Sequence, residues 1–536
     1  MAIKDLFAEG VEAGWNIINA SRLEKDLRIE ADVAIIGTGA GGGTAAEILA
    51  RAGLNVVMLE HGPLKTSNDF NMREKEAYRD LYQESVSRLS EDGSITILQG
   101  QSVGGSTTVN WTSSFRTPDQ TLEHWEKEFS VKGLSSQEMA PWFEMMEQRL
   151  GIQDWTVPPN QNNDALRRGC EELGYSWKTI PRNVKGCWNL GYCGTGCPTN
   201  AKQSMLVTTI PEALKRNASL VFLCEAETFS LDQKGVRSLT CRAMDQTARV
   251  PTGQKVLVTA RHYVLSGGGI NSPALLMRSQ APDPNQLLGR RTFLHPTPMS
   301  MARFREEVAP YNGAPQSIYS DHFQWRNGTT GSMGFKLETA PLQPALAANL
   351  FAARGTRLAE RMSQLPYTQN MLALLRDGFH EESQGGQVKI RKDGSPILDY
   401  TLTNYAWNGV RRALLTMAEI QFAAGAESTL PLHLEADYVS TMAAARKQID
   451  HLSLERYLTK IGSAHVMGGC AMSEDPGKGV VNSLGEHHQL ENLSVIDGSV
   501  FPTSIGANPQ LSVYGIAARF ATHLARKLGR EPLLAA

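Results

Sequence analysis

Near the N-terminus, apolar runs alternate with turn-forming and helix-forming segments. The apolar run 31–36 predicts a buried parallel strand. A glycine-rich turn at 37–42 follows, then a segment at 44–52 rich in Ala that favours a helix. A second apolar run at 55–59 ends at Glu60. The order strand, turn, helix, strand predicts a βαβ unit.

Before this unit, apolar residues recur at helical spacing. The positions concerned are Ile3, Phe7, Val11, Trp15 and Ile18. They predict one apolar stripe on a helical arm over residues 1–29. Such an arm either docks onto its own lobe or binds a partner.

The second half of the chain contains different patterns. Residues 386–400 alternate between apolar and polar across Asp393-Gly394, which predicts antiparallel strands. Residues 409–425 have helical apolar spacing. The segments 305–330 and 337–365 are rich in Gly, Pro, Ala and polar residues, which favours a lid or a substrate entrance.

The turn after the first strand has the spacing Gly-x-Gly-x-x-Gly. Gly37 would permit the tight turn, Gly39 the approach of a pyrophosphate and Gly42 close strand–helix contact. The helix N-terminus would offer N–H groups to phosphate. Glu60 lies at the distance where an acid meets ribose hydroxyls. The unit therefore predicts dinucleotide binding, without separating FAD from NAD.

Composition narrows the class of protein. The 536 residues suffice for two lobes, and 53 basic against 55 acidic side chains give a net charge of −2. We therefore expect neither a nucleic-acid partner nor attraction to an anionic membrane. No apolar run predicts a transmembrane segment and no signal peptide is indicated. The default expectation is a cytoplasmic protein, periplasmic or membrane-associated only if exported with a partner subunit.

Three further segments carry a family resemblance. Residues 100–111, residues 264–276 and the C-terminal stretch through 463–472, 495–499 and 506–510 resemble, in order and spacing, the glucose-methanol-choline (GMC) family of FAD oxidoreductases. The resemblance covers roughly residues 30 to 530. It implies an α/β fold class, with a Rossmann-like FAD-binding lobe and a discontinuous α+β substrate lobe built on an antiparallel sheet.

The implied organisation has four parts. The N-terminal helical arm, 1–29, precedes a FAD-binding lobe at 30–300, which holds an insertion at about 120–204 and a Cys-rich loop at 187–203. A substrate-binding lobe follows at 301–455. The chain returns to the FAD lobe at 456–536 with the catalytic residues.

The resemblance also implies the cofactor contacts. The loop bearing Gly104, Gly105, Ser106 and Asn110 would lie against the isoalloxazine ring. Asp497 and Gly498 would contact the ribityl and pyrophosphate groups, with Asn508 and Pro509 beside the flavin.

Two residues are the expected catalytic pair. Flavin N5 can accept the carbinol hydrogen as hydride, and His465 would take the hydroxyl proton as general base. Asn508 would hold the substrate oxygen, and Pro509 would stiffen its loop. No motif indicates a catalytic role for His295, His487 or His488. We expect these three histidines to be structural or exposed.

Three of the seven cysteines, Cys187, Cys193 and Cys197, have the spacing C-x5-C-x3-C in a glycine-rich loop. Such thiolates can hold a 3Fe-4S cluster, or a 4Fe-4S cluster with one open site. The loop resembles the cluster loop of bacterial FAD glucose dehydrogenases, which pass electrons to a cytochrome subunit, and also the Cys-rich loop of long-chain alcohol oxidases. Free structural thiols, a disulfide or another metal are the alternatives. Cys170, Cys224, Cys241 and Cys470 are expected to be small core residues.

Together these features predict an EC 1.1 dehydrogenase that oxidises a primary alcohol to the aldehyde. Aliphatic or aromatic alcohols are favoured over sugars because the cysteine loop and C-terminal stretch resemble long-chain alcohol oxidases. Electrons would leave through the cluster to a cytochrome or quinone. The alternatives are an oxygen-using alcohol oxidase without a cluster, a hydroxynitrile-lyase-type enzyme with a structural flavin, and an electron-transferring or scaffolding flavoprotein.

Overall fold

The computed structural model describes residues 3–532. In chain order, the strands are β1 (Asn16–Asn19), β2 (Leu27–Ile36), β3 (Val56–Glu60), β4 (Ile95–Ile97), β5 (Ile152–Asp154), β6 (Lys178–Thr179), β7 (Pro181–Asn183), β8 (Ser219–Phe222), β9 (Cys224–Leu231), β10 (Val236–Met244), β11 (Pro251–Leu265), β12 (Thr292–Phe293), β13 (Thr297–Arg303), β14 (Ile318–Ser320), β15 (Phe335–Thr339), β16 (Thr368–Leu375), β17 (Gln387–Ile390), β18 (Pro396–Asp399), β19 (Ser428–Pro431), β20 (Ile461–Ser463), β21 (Met467–Gly468) and β22 (Leu493–Val495).

The α-helices follow the same order. They are α1 (Leu6–Glu12), α2 (Ala40–Arg51), α3 (Glu74–Leu81), α4 (Asp119–Phe129), α5 (Ser136–Leu150), α6 (Gln161–Glu172), α7 (Thr209–Leu214), α8 (Gly268–Arg278), α9 (Pro344–Leu350), α10 (Gly355–Ser363), α11 (Asn404–Ala423), α12 (Met442–His451) and α13 (Gln510–Lys527).

The first sheet has the order β1-β8-β3-β2-β11-β10-β9, and β22 pairs with β11. The five strands β1, β8, β3, β2 and β11 are parallel to their neighbours in this order, and β22 is also parallel to β11. Strand β10 pairs antiparallel with both β9 and β11. All five residues of β3 are buried, as expected for a strand covered on both faces. Helices α2 and α13 pack on each other beside this sheet.

The predicted βαβ unit is present. Strand β2 begins at Leu27, four residues before the predicted start, and α2 begins at Ala40, inside the glycine turn. The turn therefore delivers the chain directly into the helix.

The second sheet has the order β4-β20-β13-β16-β15-β14-β6, with β19 also on β13. All of its pairs are antiparallel except β4 with β20. The predicted pairing of a Rossmann-like lobe with an antiparallel-sheet lobe is confirmed. Strands β4, β6 and β20 come from outside residues 301–455, so this sheet is more discontinuous than the predicted boundaries.

Local patterns in the second half are reproduced. Strands β17 and β18 form the predicted hairpin, with Val388 opposite Leu398. The predicted helix at 409–425 is α11, which begins five residues earlier because the Thr403 side chain accepts a hydrogen bond from the Ala406 N–H. The segment 337–365 is not loop throughout, since it contains part of the fully buried β15 and both α9 and α10.

The predicted N-terminal helical arm is wrong beyond residue 12. Helix α1 ends at Glu12, and Trp15 packs edge-on against Phe7. Ile18 lies in β1 and pairs with Val221 of β8, while Val11 is 57% exposed. The apolar residues after the helix thus extend the first sheet. The part of the predicted arm at residues 1–2 lies outside the described residues.

A membrane-spanning helix was not expected. Across residues 3–532, none of the helices is both long and apolar enough to cross a bilayer.

Candidate active site

A cavity of about 970 Å³ lies where the two sheets meet. Segments that are remote in sequence border it, around Gly39, Ser106, Ser266, His465 and Pro509. The structure therefore brings the predicted motifs of both chain ends to one site.

The glycine turn forms one end of the cavity. Gly37 has a φ of +98°, and a Cβ there would lie 2.4 Å from the Ser266 carbonyl oxygen. Gly39 is the N-cap of α2 and makes no side-chain hydrogen bond, so the N–H groups of the first helical turn are left for a ligand's phosphate. Gly42 packs against the end of β2, as predicted.

The sequence reasoning missed Gly41. A Cβ at this position would lie 1.8 Å from the Ile496 carbonyl oxygen, which follows β22. The turn is therefore in close contact with the C-terminal return of the chain.

Glu60 ends β3 and borders the cavity. Its Oε2 accepts hydrogen bonds from the Thr38 N–H at 3.1 Å and the Thr38 hydroxyl at 2.6 Å, and its Oε1 accepts from the Gly62 N–H. The Glu60 carboxylate thus holds the glycine turn in shape at the position where the sequence predicts contact with the ribose.

The loop at 104–110 runs along the cavity. Gly104 has a φ of +90°, and its N–H donates to Thr38 Oγ1 at 3.0 Å. Gly105, Ser106 and Asn110 line the cavity, while Gly104 lies behind them. Asn110 Nδ2 donates to the Gln510 side chain at 2.6 Å, which ties this loop to the start of α13.

Asp497 and Gly498 are buried next to the glycine turn and border the cavity. Its Oδ2 accepts from the Gly268 N–H at 2.7 Å and the Ser272 hydroxyl at 2.6 Å, and Oδ1 accepts from the Ser499 N–H at 2.8 Å. Burial raises the pKa of this carboxyl group, and these hydrogen bonds oppose that shift. Asp497 therefore holds the start of α8 against the cavity.

These features fit the FAD implied by the sequence resemblance. The uncapped N-terminus of α2 suits a diphosphate, the positions of Gly37 and Gly41 exclude side chains, and a loop with left-handed glycines runs along the cavity. The residues that would hold the cofactor are those of the turn, the 104–110 loop and the segment around Asp497.

His465 borders the cavity and contacts a second histidine. Its Nδ1 lies 3.2 Å from His295 Nδ1, and the rings meet edge to face. His295 Nε2 accepts a hydrogen bond from the Gly506 N–H at 3.1 Å. Of the two expectations for His295, structural or exposed, the structure excludes the second: His295 is fully buried, and it contacts the candidate base directly.

The His295 backbone is held in an unusual conformation. Its φ is +50°, and its N–H donates to Asp377 Oδ1, while Asp377 Oδ2 accepts from the Leu294 N–H and the Tyr400 hydroxyl. Asp377 therefore braces the turn that places the His295 ring against His465.

Both histidines are held neutral. Burial lowers the pKa of His465 to about 3, assisted by the nearby Lys336 cation. Burial also lowers the pKa of His295, with His465 and Lys336 acting in the same direction. Two neutral rings that share one hydrogen bond are the resting state of this pair.

Asn508 lies in the cavity wall and makes two hydrogen bonds to β15. Its Oδ1 accepts from Lys336 Nζ at 2.9 Å, and its Nδ2 donates to Glu338 Oε2 at 3.1 Å. Lys336 and Glu338 form an ion pair at 2.8 Å, and their side chains are 3% and 0% exposed. The sequence reasoning missed both residues; their alternate positions in an apolar strand were the only available indication.

The other two histidines named above do not join the cavity. His487 is buried, with its Nδ1 accepting from the Gln489 N–H, and His488 Nε2 contacts the Ser473 carbonyl oxygen at 3.0 Å.

The cysteine loop lies behind the 104–110 loop. Lys202 is buried beneath it, and its Nζ donates to the carbonyl oxygens of Thr108, Asn110 and Cys193 at 2.7 to 2.8 Å. Burial lowers the pKa of Lys202 to about 8. This cation joins the two loops.

The arrangement of the thiols does not support the predicted cluster. Cys187, Cys193 and Cys197 are free, as are the other four cysteines. Cys187 Sγ accepts from the Asn189 N–H, Cys193 Sγ from Arg182, and Cys197 Sγ contacts the Thr199 hydroxyl. Within the described residues, no three His, Cys, Asp or Glu side chains converge on a point where they could hold a metal ion. Each sulfur has a separate local partner.

Solved structures share this fold. A formate oxidase from Aspergillus oryzae RIB40, carrying the mutation R554K, superposes with a TM-score of 0.70 at 14% identity, covering 94% of this chain and 99% of that one. A pyridoxine 4-oxidase from Mesorbium loti gives a TM-score of 0.68 at 18% identity, covering 92% and 98%.

Curated proteins are similar over most of the chain. The long-chain-alcohol oxidase FAO4B of Arabidopsis thaliana is 30% identical over 512 residues, covering 91% of this chain and 66% of that protein. The long-chain-alcohol oxidase FAO1 of the same plant is 27% identical, covering 93% and 67%. This chain spans about two thirds of the length of these relatives.

Family models match both parts of the chain. The N-terminal GMC oxidoreductase model matches residues 78–297, and the C-terminal model matches residues 382–517. Together with the relatives and the shared fold, these matches show that the chain belongs to the GMC oxidoreductase family.

Proposed function

We propose that this protein oxidises a primary alcohol to the aldehyde, with His465 as general base and Asn508 as the group that holds the substrate oxygen. The observation that carries this proposal is the meeting of His465 and Asn508 in one cavity with the dinucleotide turn. The names of the similar plant alcohol oxidases support the reaction class. FAD, when bound, supplies the acceptor for the carbinol hydride.

The substrate side of the cavity favours an aliphatic or aromatic alcohol over a sugar. Met299, Leu372 and Leu374 line it from the second sheet, and Leu346 and Leu350 line it from α9. An apolar lining stabilises a hydrocarbon chain and leaves sugar hydroxyls without partners. Helix α9 lies in the segment for which we predicted a lid or entrance.

The proton of His465 has a defined starting position. The Gly506 N–H donates a hydrogen bond to His295 Nε2, so neutral His295 must carry its proton on Nδ1. His295 Nδ1 therefore donates a hydrogen bond to His465 Nδ1. Neutral His465 then carries its proton on Nε2, and among the described residues no protein group accepts a hydrogen bond from it.

Base action requires the other tautomer of the pair. In that form His465 Nδ1 donates to His295 Nδ1, and His465 Nε2 is free to take the hydroxyl proton. In that form His295 carries its proton on Nε2 and faces the Gly506 N–H, so two donors oppose each other and a buried donor is left unsatisfied, at a cost of about 1–3 kcal/mol. The aldehyde product, whose carbonyl oxygen only accepts hydrogen bonds, matches the resting tautomer instead.

A panel of alcohols tests the reaction. Anaerobic holoenzyme is mixed with 1-octanol, benzyl alcohol or glucose, and bleaching of the flavin absorbance is followed. We expect bleaching with octanol or benzyl alcohol, little with glucose, and the aldehyde as product. No bleaching with any alcohol would count against the proposal and favour a structural flavin, as in a hydroxynitrile-lyase-type enzyme.

The route by which electrons leave is a separate part of the proposal. Our sequence-based prediction is transfer through a cluster on Cys187, Cys193 and Cys197 to a cytochrome or quinone, with direct reoxidation by oxygen as the alternative. The cluster requires the three sulfurs to leave their separate partners. Iron and acid-labile sulfide per flavin in anaerobically purified protein decides between the routes: three or four irons support the cluster, whereas iron-free flavoprotein that forms peroxide with alcohol supports the oxidase.

A further inference from the structure

The Asn508 amide is enclosed by a closed set of polar contacts. Lys336 contacts its oxygen, Glu338 its nitrogen, and the two charged side chains contact each other. We call Lys336 and Glu338 the amide clamp. Both lie on β15 two residues apart, so their side chains leave the strand on the same face.

The clamp is itself held in place. Gln316 Nε2 donates to Glu338 Oε2 at 2.7 Å, and the Ser113 hydroxyl donates to Gln316 Oε1 at 2.7 Å. Lys336 Nζ lies 3.0 Å from the centroid of the Phe115 ring. The Lys336 ammonium group thus contacts the Glu338 carboxylate, the Asn508 amide oxygen and the face of the Phe115 ring. These three contacts restrict it to one orientation.

The clamp determines which of the two amide atoms of Asn508, Oδ1 or Nδ2, faces Lys336. If Asn508 were turned over, its NH₂ group would face the Lys336 ammonium and its oxygen would face the Glu338 carboxylate. Two donors would then oppose each other, and so would two acceptors, among buried side chains. The clamp therefore permits a single amide orientation.

We infer that Lys336 and Glu338 are positioning residues that make Asn508 a hydrogen-bond donor towards the substrate oxygen. Its oxygen is occupied by Lys336, and one of its two amide hydrogens is occupied by Glu338. The second hydrogen remains for the cavity that Asn508 lines. The role of the clamp in catalysis rests on the proposed function, since a donor aimed at the oxygen stabilises the alkoxide that forms as the proton leaves.

The clamp also sets the charge next to His465. His295, from the turn before β13, contacts His465, and the Lys336 cation of β15 acts on it. Glu338, paired with Lys336, borders the same cavity. The Lys336 cation disfavours a second positive charge on His465, which assists burial in keeping the base neutral.

A double variant, Lys336→Met with Glu338→Leu, tests the inference. Removing one partner would leave a buried charge unpaired and could prevent folding, whereas replacing both by apolar side chains of similar size is tolerated in buried ion pairs. The matched control is Lys389→Met with Glu91→Leu, the same changes in an ion pair whose side chains are 41% and 44% exposed. Flavin content and thermal unfolding verify that both proteins are folded.

The first readout is the anaerobic rate of flavin reduction by benzyl alcohol at saturation. We expect the clamp variant to slow about tenfold or more, with a smaller change in the apparent dissociation constant of the alcohol, because the donor acts on the developing charge. The control pair should reduce flavin at the wild-type rate. A clamp variant with wild-type rate and affinity overturns the inference.

The second readout does not depend on activity. The ring resonances of His465, assigned with His465→Asn, are followed by pH titration in wild type and clamp variant. Wild-type His465 should stay neutral down to about pH 4, and the clamp variant should protonate at higher pH because the neighbouring cation is gone. An identical titration in both proteins contradicts the clamp. If no alcohol reduces wild-type flavin, the proposed function fails while this titration still decides the clamp.

Discussion

The two walls of the cavity are built in different ways. The cofactor wall consists largely of backbone: the turn at 37–42, the 104–110 loop and the start of α8 approach one another because they carry glycine. The substrate wall depends on side chains from separate elements: His465 and Asn508 border the cavity, and His295 and Lys336, which do not border it, hold them in place. Most positions in the backbone wall leave no room for an added Cβ, whereas the side-chain wall depends on a few polar contacts.

The cofactor wall should fail completely when its closest contact is blocked. Gly41→Ala places a Cβ 1.8 Å from the Ile496 carbonyl oxygen, so we expect loss of bound flavin and a marked fall in thermal stability. Flavin absorbance per protein and a thermal melt measure both. Gly462→Ala is the control, because its Cβ would meet Met299 at an ordinary 3.5 Å. Flavin retention by Gly41→Ala at the wild-type level would show that the two walls do not differ in this respect.

The substrate wall should lose chemistry while keeping the cofactor. His465→Ala removes the base, and we expect flavin reduction to slow by about 10²-fold or more with flavin still bound. Stopped-flow reduction with benzyl alcohol measures the rate. Near-normal reduction would remove His465 from the base role and leave the second wall without a catalytic group.

The smallest expected effect is that of His295→Asn, which tests how His295 influences His465. In His295→Asn the amide oxygen can accept from His465 Nδ1, which stabilises the imidazolium and raises the pKa of His465 by about one unit. A higher pKa means that the base is protonated, and the rate lost, at higher pH. We therefore expect the acid limb of the rate of flavin reduction to move upward by that amount. His487→Asn, a buried histidine outside the cavity, should leave the limb in place.

The sequence predicted the cofactor wall better than the substrate wall for a physical reason. Strand β2, the turn and α2 follow from local periodicity and from glycines within about twenty residues, and so does the β17–β18 hairpin. His295 contacts His465 across 170 residues of chain, and no local pattern records that contact. Lys336 and Glu338 resemble ordinary polar positions of a strand until the fold places Asn508 between them.

Two predictions show where local patterns mislead. Apolar residues at helical spacing continued past α1, yet Ile18 entered a strand because β8 offered an open edge. The cysteines are dense in sequence, but each sulfur points to a different neighbour. Density along the chain is not convergence in space.

The contact between Gly41 and Ile496 has a consequence for biosynthesis. The residue that closes against the first turn of α2, Ile496, is synthesised 455 residues after Gly41, and β22, which pairs with β11, is made at the same stage. A nascent chain therefore carries the glycine turn long before the wall that encloses it exists. Flavin can therefore be retained only after the segment around Ile496 has been synthesised, so a chain that terminates before this segment would be a colourless protein rather than a partly active one.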